Sequence, residues 1–200
     1  MTYRRRSIRL PHYDYSRAGY YFITVTTHKR MHLFGEIDDG VMVLNVAGEM
    51  IRRLWYEIEE DFPCVALHDF VIMPNHMHGI IQIVGAPLVG AHDMYTMLKT
   101  TNTKRATVKT ANVRRATTRV APTVGDVVGA YKSKTTNTYI QMVKNNTLPP
   151  FDKRIWQRNY YEHVVRDAND HTCIAEYIQN NPLTWEEDML NAKTAIKQIS

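Results

Sequence analysis

Two histidines separated by one residue, His76-Met77-His78, are the clearest means this chain has of holding a divalent cation. On a β-strand successive side chains point to opposite faces, so His76 and His78 share a face and Met77 takes the other. Two imidazoles side by side on a rigid strand can ligate one metal ion. The pattern alone is unspecific, because paired histidines also occur on ordinary solvated sheet faces. Here the pair opens an apolar run, His76 to Val84, directly after Met73-Pro74-Asn75. A polar pair in such a setting either finds partners or costs stability. Tyr177 and Asn181, four apart on a predicted helix, fall one turn apart on one face. A phenol is a poor nucleophile at neutral pH and becomes useful when a cation polarises the phosphate it attacks. An Asn oxygen beside two imidazoles suits Mg²⁺ or Mn²⁺ at an open site better than a closed structural zinc. Spacing alone does not rank Tyr177 above Tyr131, Tyr160 or Tyr161, for which packing or base stacking are the competing roles.

The elements that must position these residues follow from pattern. Tyr20 to Thr27 is rich in β-branched and aromatic residues and reads as the first strand. Gly35 to Gly40 reads as a turn region. Asn45 is a candidate N-cap for a helix reaching Glu60, with Ala47, Met50, Ile51, Leu54, Trp55 and Ile58 as its core stripe. Val65 to Met73 and His76 to Val84 read as strands broken by Pro74-Asn75, since proline cannot donate to a strand ladder. Val124 to about Val143 reads as a second helix, with a core face of Val124, Val127, Val128 and Tyr131. Its polar middle, including Lys132 and Lys134, faces either a ligand or solvent. Ile155 to Val165 reads as a fourth strand, straight or bent, and Asp170 to Asn181 as a third helix. Pro182 is expected to end that helix by pushing Asn181 out of helical geometry. Trp185 and Leu190 are candidates to pack the tail back onto the domain. The order strand-helix-strand-strand-helix-strand is ferredoxin-like: an α+β fold with an antiparallel sheet, helices on one face and an added C-terminal helix.

With 200 residues, 44% of them hydrophobic, the chain fits one domain over residues 1–200. A basic arm occupies residues 1–18, and a basic insertion that reads as mobile occupies residues 85–122. The net charge of +5 suits a polyanionic partner. Arg4, Arg5 and Arg6, with tyrosines interleaved, suit phosphate contact and stacking, or simply a solvated end. Cys64 and Cys173 form no Cys-x-x-Cys pair, which argues against a cysteine zinc site and a disulfide framework. The expected setting is a reducing cytoplasm, with no membrane span and no signal peptide.

His76-Met77-His78 after Met73-Pro74-Asn75 resembles the His-hydrophobic-His (HUH) motif of single-strand DNA endonucleases. The segments Trp156 to Asp167, Glu176 to Pro182 and Val124 to Ser133 are similar to those of REP-associated tyrosine transposases, relatives of the insertion-sequence 200/605 type. The resemblance implies a ferredoxin-like palm, with His76 and His78 as metal ligands and Tyr177 as nucleophile. Asn181 falls where such enzymes supply a third polar ligand, often Gln. The implied cofactor is Mg²⁺ or Mn²⁺. The implied reaction is attack on a single-stranded DNA phosphodiester, leaving a 5′-phosphotyrosine and a free 3′-OH. The implied substrates are repeat hairpins with short flanks, contacted by Arg4, Arg5, Arg6, Lys132, Lys134, Arg158 and Arg166. Either a monomer or a homodimer fits. His163 reads either as a partner of the site or as a plain sheet residue. A noncatalytic hairpin-binding descendant, and a hydrolase using water in place of tyrosine, are the alternatives. The first predicts hairpin binding insensitive to EDTA, and the second a product free of protein.

Overall fold

The computed structural model describes residues 14–84 and 122–191. Arg4, Arg5, Arg6 and nearly all of the basic insertion lie outside the described residues. Six strands and four α-helices occur among them: β1 (Gly19–Thr26), β2 (Gly35–Asp38), β3 (Val41–Leu44), α1 (Val46–Tyr56), α2 (Ile58–Asp61), β4 (Val65–Met73), β5 (His76–Ile83), α3 (Val124–Lys144), β6 (Tyr161–Val165) and α4 (Ala168–Asn180). Every pairing in the main sheet is antiparallel, in the order β4-β5-β1-β6. With α1 between β1 and β4, and α3 between β5 and β6, this is the expected ferredoxin-like arrangement.

Alternation along each strand divides the sheet into two faces. Tyr21, Ile23 and Val25 of β1 and Met77, Ile81 and Ile83 of β5 pack with α1 and α3 in the main core. The α1 stripe is buried throughout, and Asn45 caps the helix by accepting from the amides of Ala47 and Gly48 at 2.9 and 3.0 Å. A reciprocal Thr123–Asp126 capping box starts α3, whose Val124, Val127, Val128 and Tyr131 are buried. The other face carries Phe22, Ile80 and Val165, against which α4 lays Ile178. Helix α4 therefore covers the face that bears the histidines.

Three local expectations need correction. The region Gly35–Gly40 is not simply a turn: β2 and β3 form a two-stranded hairpin around Asp39-Gly40, both left-handed (φ 47° and 72°). The fourth strand is only Tyr161–Val165. Trp156 instead makes an isolated bridge to Thr27, and the amide of Gln157 donates to the Thr26 carbonyl at 2.9 Å. The chain therefore leaves β1 and rejoins it, and Gln157, Asn159 and Tyr160 in the gap line a cavity. Finally, Asn181 keeps helical geometry (φ −56°, ψ −41°) although Pro182 follows. The turn continues through it, with the amides of Leu183 and Thr184 donating to the Asn180 carbonyl. What stops the ladder at Pro182 is its missing N–H, not the conformation of the residue before it.

Candidate active site

The two-residue Pro74-Asn75 turn joins β4 to β5 and starts β5 at His76. Both turn carbonyls are occupied: Thr27 donates to Asn75 O at 2.8 Å, and Leu33 and Phe34 donate to Pro74 O at 2.9 and 3.1 Å. Across β1, Thr24 opposes His78 and Thr26 opposes His76, so these four side chains share one face. Met77 points into the opposite core, as the alternation requires.

Both imidazoles are buried and their outer nitrogens are already held. His76 Nδ1 lies 2.8 Å from Asn75 Oδ1, and His78 Nδ1 lies 2.8 Å from Thr24 Oγ1. An amide oxygen can only accept, so His76 carries its proton on Nδ1 and presents a lone pair at Nε2. The two Nε2 atoms are 3.0 Å apart. Two ligand atoms at about 2.1 Å from one cation and at right angles to each other are about 3 Å apart, which is the spacing seen here.

Asp188 closes the group. Its Oδ2 is 3.7 Å from His76 Nε2, and the ligand atoms of His76, His78 and Asp188 all lie within 4.8 Å of one another. The carboxylate arrives from a short helical turn at Trp185–Glu187 that follows α4. Trp185 anchors that turn, buried beside the His76 ring at 5.9 Å between centroids. Sequence reasoning expected Trp185 to pack but missed Asp188, which belongs to no periodic element. The available signal was a run of acids directly behind an apolar anchor.

Tyr177 and Asn181 reach the same place from α4. Tyr177 Oη lies 3.3 Å from His78 Nε2, and its ring packs edge-on against Phe22 and His78. Two of the competing phenols have partners of their own, while Tyr161 stands exposed at the wall of the same cavity. Tyr131 is buried in the main core and donates to Ile51 O at 3.1 Å, and Tyr160 donates to Glu162 Oε2 at 2.6 Å. Asn181 is buried, and its Oδ1 makes no hydrogen bond; Asp188 Oδ2 is in the same condition. Two orphaned acceptor oxygens beside two imidazole Nε2 atoms form a ligand set that fits a divalent cation of the Mg²⁺ or Mn²⁺ type.

The electrostatics agree. Burial pushes His76 well below the ordinary imidazole range, reinforced by His78, and pushes His78 down to about 3. His76 is therefore neutral, and its contact with Asp188 is not an ion pair. Burial raises Asp188, with Arg30 acting against the rise. Burial also raises Tyr177, assisted by Asp188 and opposed by Asn181. Each shift disfavours charge at a group that a nearby cation would favour in its ligating or reactive form. A cavity of about 830 Å³ opens on the cluster, lined among others by Phe22, Arg30, His78, Tyr161 and Tyr177.

The remaining predicted contacts are scattered. Lys132 Nζ donates to the carbonyls of Gln157 and Arg158 at 2.6 and 3.1 Å, and burial lowers it to about 8. Lys134 bridges Glu57 and Asp61 at 2.8 and 2.7 Å. Arg158 and Arg166 are exposed, Arg158 beside Lys132 in a second groove and Arg166 just after β6. His163 does not join the site; its Nε2 lies 3.0 Å from Asp170 Oδ2 and ties β6 to α4.

No family model matches the chain. A protein of Haemophilus influenzae (strain ATCC 51907 / DSM 11121 / KW20 / Rd), described only as uncharacterized, is 39% identical over 186 residues, spanning 93% of this chain and 92% of its own. The chain belongs to that protein's family. Among solved structures it is similar to the REP-associated tyrosine transposase bound to a REP hairpin, at 19% identity and a TM-score of 0.46, over 92% of this chain and 74% of that one. It is also similar to a Deinococcus radiodurans R1 protein assigned provisionally as a transposase, at 12% identity and a TM-score of 0.41, over 86% of this chain and 95% of that one.

Proposed function

We propose that this chain is a metal-dependent tyrosine transesterase of single-stranded DNA, acting on repeat hairpins with short flanks. The observation that carries the reading is the approach of Tyr177 Oη to 3.3 Å from His78 Nε2, beside the Asp188 and Asn181 oxygens and at the wall of one cavity. His76, His78 and Asp188 would hold the cation, with Asn181 as a further oxygen ligand. The cation, Mg²⁺ or Mn²⁺, would polarise the scissile phosphate and offset charge developing on it. Asn75 and Thr24 hold the two rings with their Nε2 atoms turned inward. Phe22 and His78 hold the Tyr177 ring in place.

Tyr177 Oη forms a bond to phosphorus as its proton passes to water. The bond from phosphorus to the 3′-oxygen breaks, and that oxygen leaves with the electron pair and takes up a proton. A 5′-phosphotyrosine and a free 3′-OH result, and the reverse attack by a 3′-OH rejoins strands without ATP. Arg158, Arg166 and the basic segments outside the described residues contribute phosphate contacts.

The test is a denaturing gel of the protein with labelled single-stranded hairpin DNA from repeats beside its own gene, with Mn²⁺ or EDTA. The expected result is a metal-dependent band that resists denaturant and disappears in Tyr177→Phe. Cleavage without that band would indicate water as the nucleophile. Tight binding unaffected by EDTA, with no cleavage of any hairpin, would indicate a binding protein.

A further inference from the structure

Arg30 is the one Lys or Arg among the described residues lining the cavity. The chain turns sharply to place it there. Lys29 and Arg30 are consecutive left-handed residues (φ 56° and 55°), and neither is glycine. Such conformations are disfavoured for side-chain-bearing residues and collect at functional sites. The turn sends the two cations in opposite directions. Lys29 runs outward to Asp152 at 2.7 Å, while Arg30 turns in and donates from Nη1 to Met189 O at 2.8 Å. The Arg30 carbonyl accepts from Asn75 Nδ2 at 3.3 Å, so the amide that orients His76 also fixes the Arg30 backbone.

A guanidinium has five N–H donors in a planar fork, and a single backbone carbonyl leaves most of that fork for another acceptor. Its charge already reaches the cluster, opposing the rise of Asp188 and adding to the depression of His76. The same cavity wall carries Glu187 and Asp188, which would repel a polyanion if no cation faced it. Arg with phosphate is the strong, geometrically defined pairing for this situation.

We propose that Arg30 is a phosphate-binding residue of this cavity, clamping the phosphodiester that enters beside His76, His78 and Tyr177. The inference rests on the transesterase reading for the identity of that phosphodiester. Its competitor is a strut: Arg30 only holds the Met189 segment, and with it Asp188.

Two measurements separate these roles. The first is equilibrium binding of a labelled hairpin with single-stranded flanks, in EDTA, across a salt series. Arg30→Gln should flatten the slope of log K against log salt by about 0.7, the value for one single-strand phosphate contact, and Arg30→Lys should restore it. The second is the rate of adduct formation with Mn²⁺ on a normal strand and on one with a methylphosphonate at the cleaved linkage. Arg30→Gln should slow the normal strand by at least about tenfold and the uncharged linkage far less. Equal losses on both strands, with weaker Mn²⁺ binding and an unchanged salt slope, would overturn the proposal in favour of the strut. If wild-type protein forms no adduct, the transesterase reading falls, and the salt slope alone decides for or against a phosphate contact at Arg30.

Discussion

The Asp188 carboxylate is buried against a neutral imidazole, with one oxygen lacking any hydrogen-bond partner. Without a cation that arrangement costs stability; with one, the same oxygen is a ligand. Asp188→Asn should therefore weaken Mn²⁺ binding by at least about tenfold while leaving the metal-free fold as stable or more so, readable by calorimetric titration and thermal melts. The histidines make an opposite demand on pH. His78 is held near 3 when folded, against an ordinary value of 6.5. The unfolded chain thus binds more protons between these values, so stability is full above 6.5 and is lost as pH falls toward 3. The largest loss from this residue is about 5 kcal/mol, the difference between 6.5 and about 3 at about 1.36 kcal/mol per pH unit. In EDTA, a denaturant series over that range should show the loss in wild type and a reduced loss in His78→Gln. The histidine pair was legible in sequence because a period of two fixes its face. Asp188 was not, because its place depends on how the chain turns after α4.

At the scale of elements, the site is a junction between the β4–β5 hairpin and α4. Asn75 ties the hairpin to the segment after β1 and to the turn beyond α4: its Oδ1 holds His76 Nδ1, and its Nδ2 donates to Arg30 O and Leu190 O at 3.3 and 2.8 Å. Asn75→Ala would remove all three bonds from a buried residue. We expect a loss of about 2–3 kcal/mol in denaturant unfolding and a 10- to 100-fold loss of Mn²⁺ affinity. Helix α4 begins at Asp167, whose side chain accepts from Asp170 N at 2.9 Å. Asp167→Ala should cost about 1 kcal/mol and slow adduct formation, because the same helix delivers Tyr177. The long elements were readable from their patterns: β1, the broken β4–β5 pair, α1 and α3. The β2–β3 hairpin was missed because its strands have four residues each and leave Val41 and Val43 exposed. The fourth strand was overextended because Ile155 and Trp156, buried and apolar, look like strand but serve the core beside the end of β1.

At the scale of the molecule, three separate parts of the chain supply the donor atoms of the proposed cation site: β5, the end of α4 and the turn beyond it. A bound ion would therefore cross-link them and stabilise the native state by mass action. Millimolar Mn²⁺ should raise the melting temperature, and His76→Ala combined with His78→Ala should abolish the rise, as followed by calorimetry. No helix among the described residues is long and apolar enough to cross a membrane. If the proposed hairpin binding holds, each phosphate contact made by the basic side chains adds to its salt dependence. The ferredoxin-like order could be read in advance because strands and helices alternate in pattern along the chain. The cavity could not, since it opens where the chain departs from β1 between Trp156 and Tyr161.

Strand β5 carries core and chemistry on alternate residues, Met77 in one and His76 and His78 in the other. A slip of one position in its pairing would bury imidazoles in the core and turn Met77 toward the phosphate. An insertion or deletion of an odd number of residues in this strand would therefore cost the fold along with the histidine pair. A relative that keeps the fold but has lost the proposed activity should therefore show substitutions at His76, His78, Tyr177 or Asp188 more readily than a one-residue change in the length of this strand.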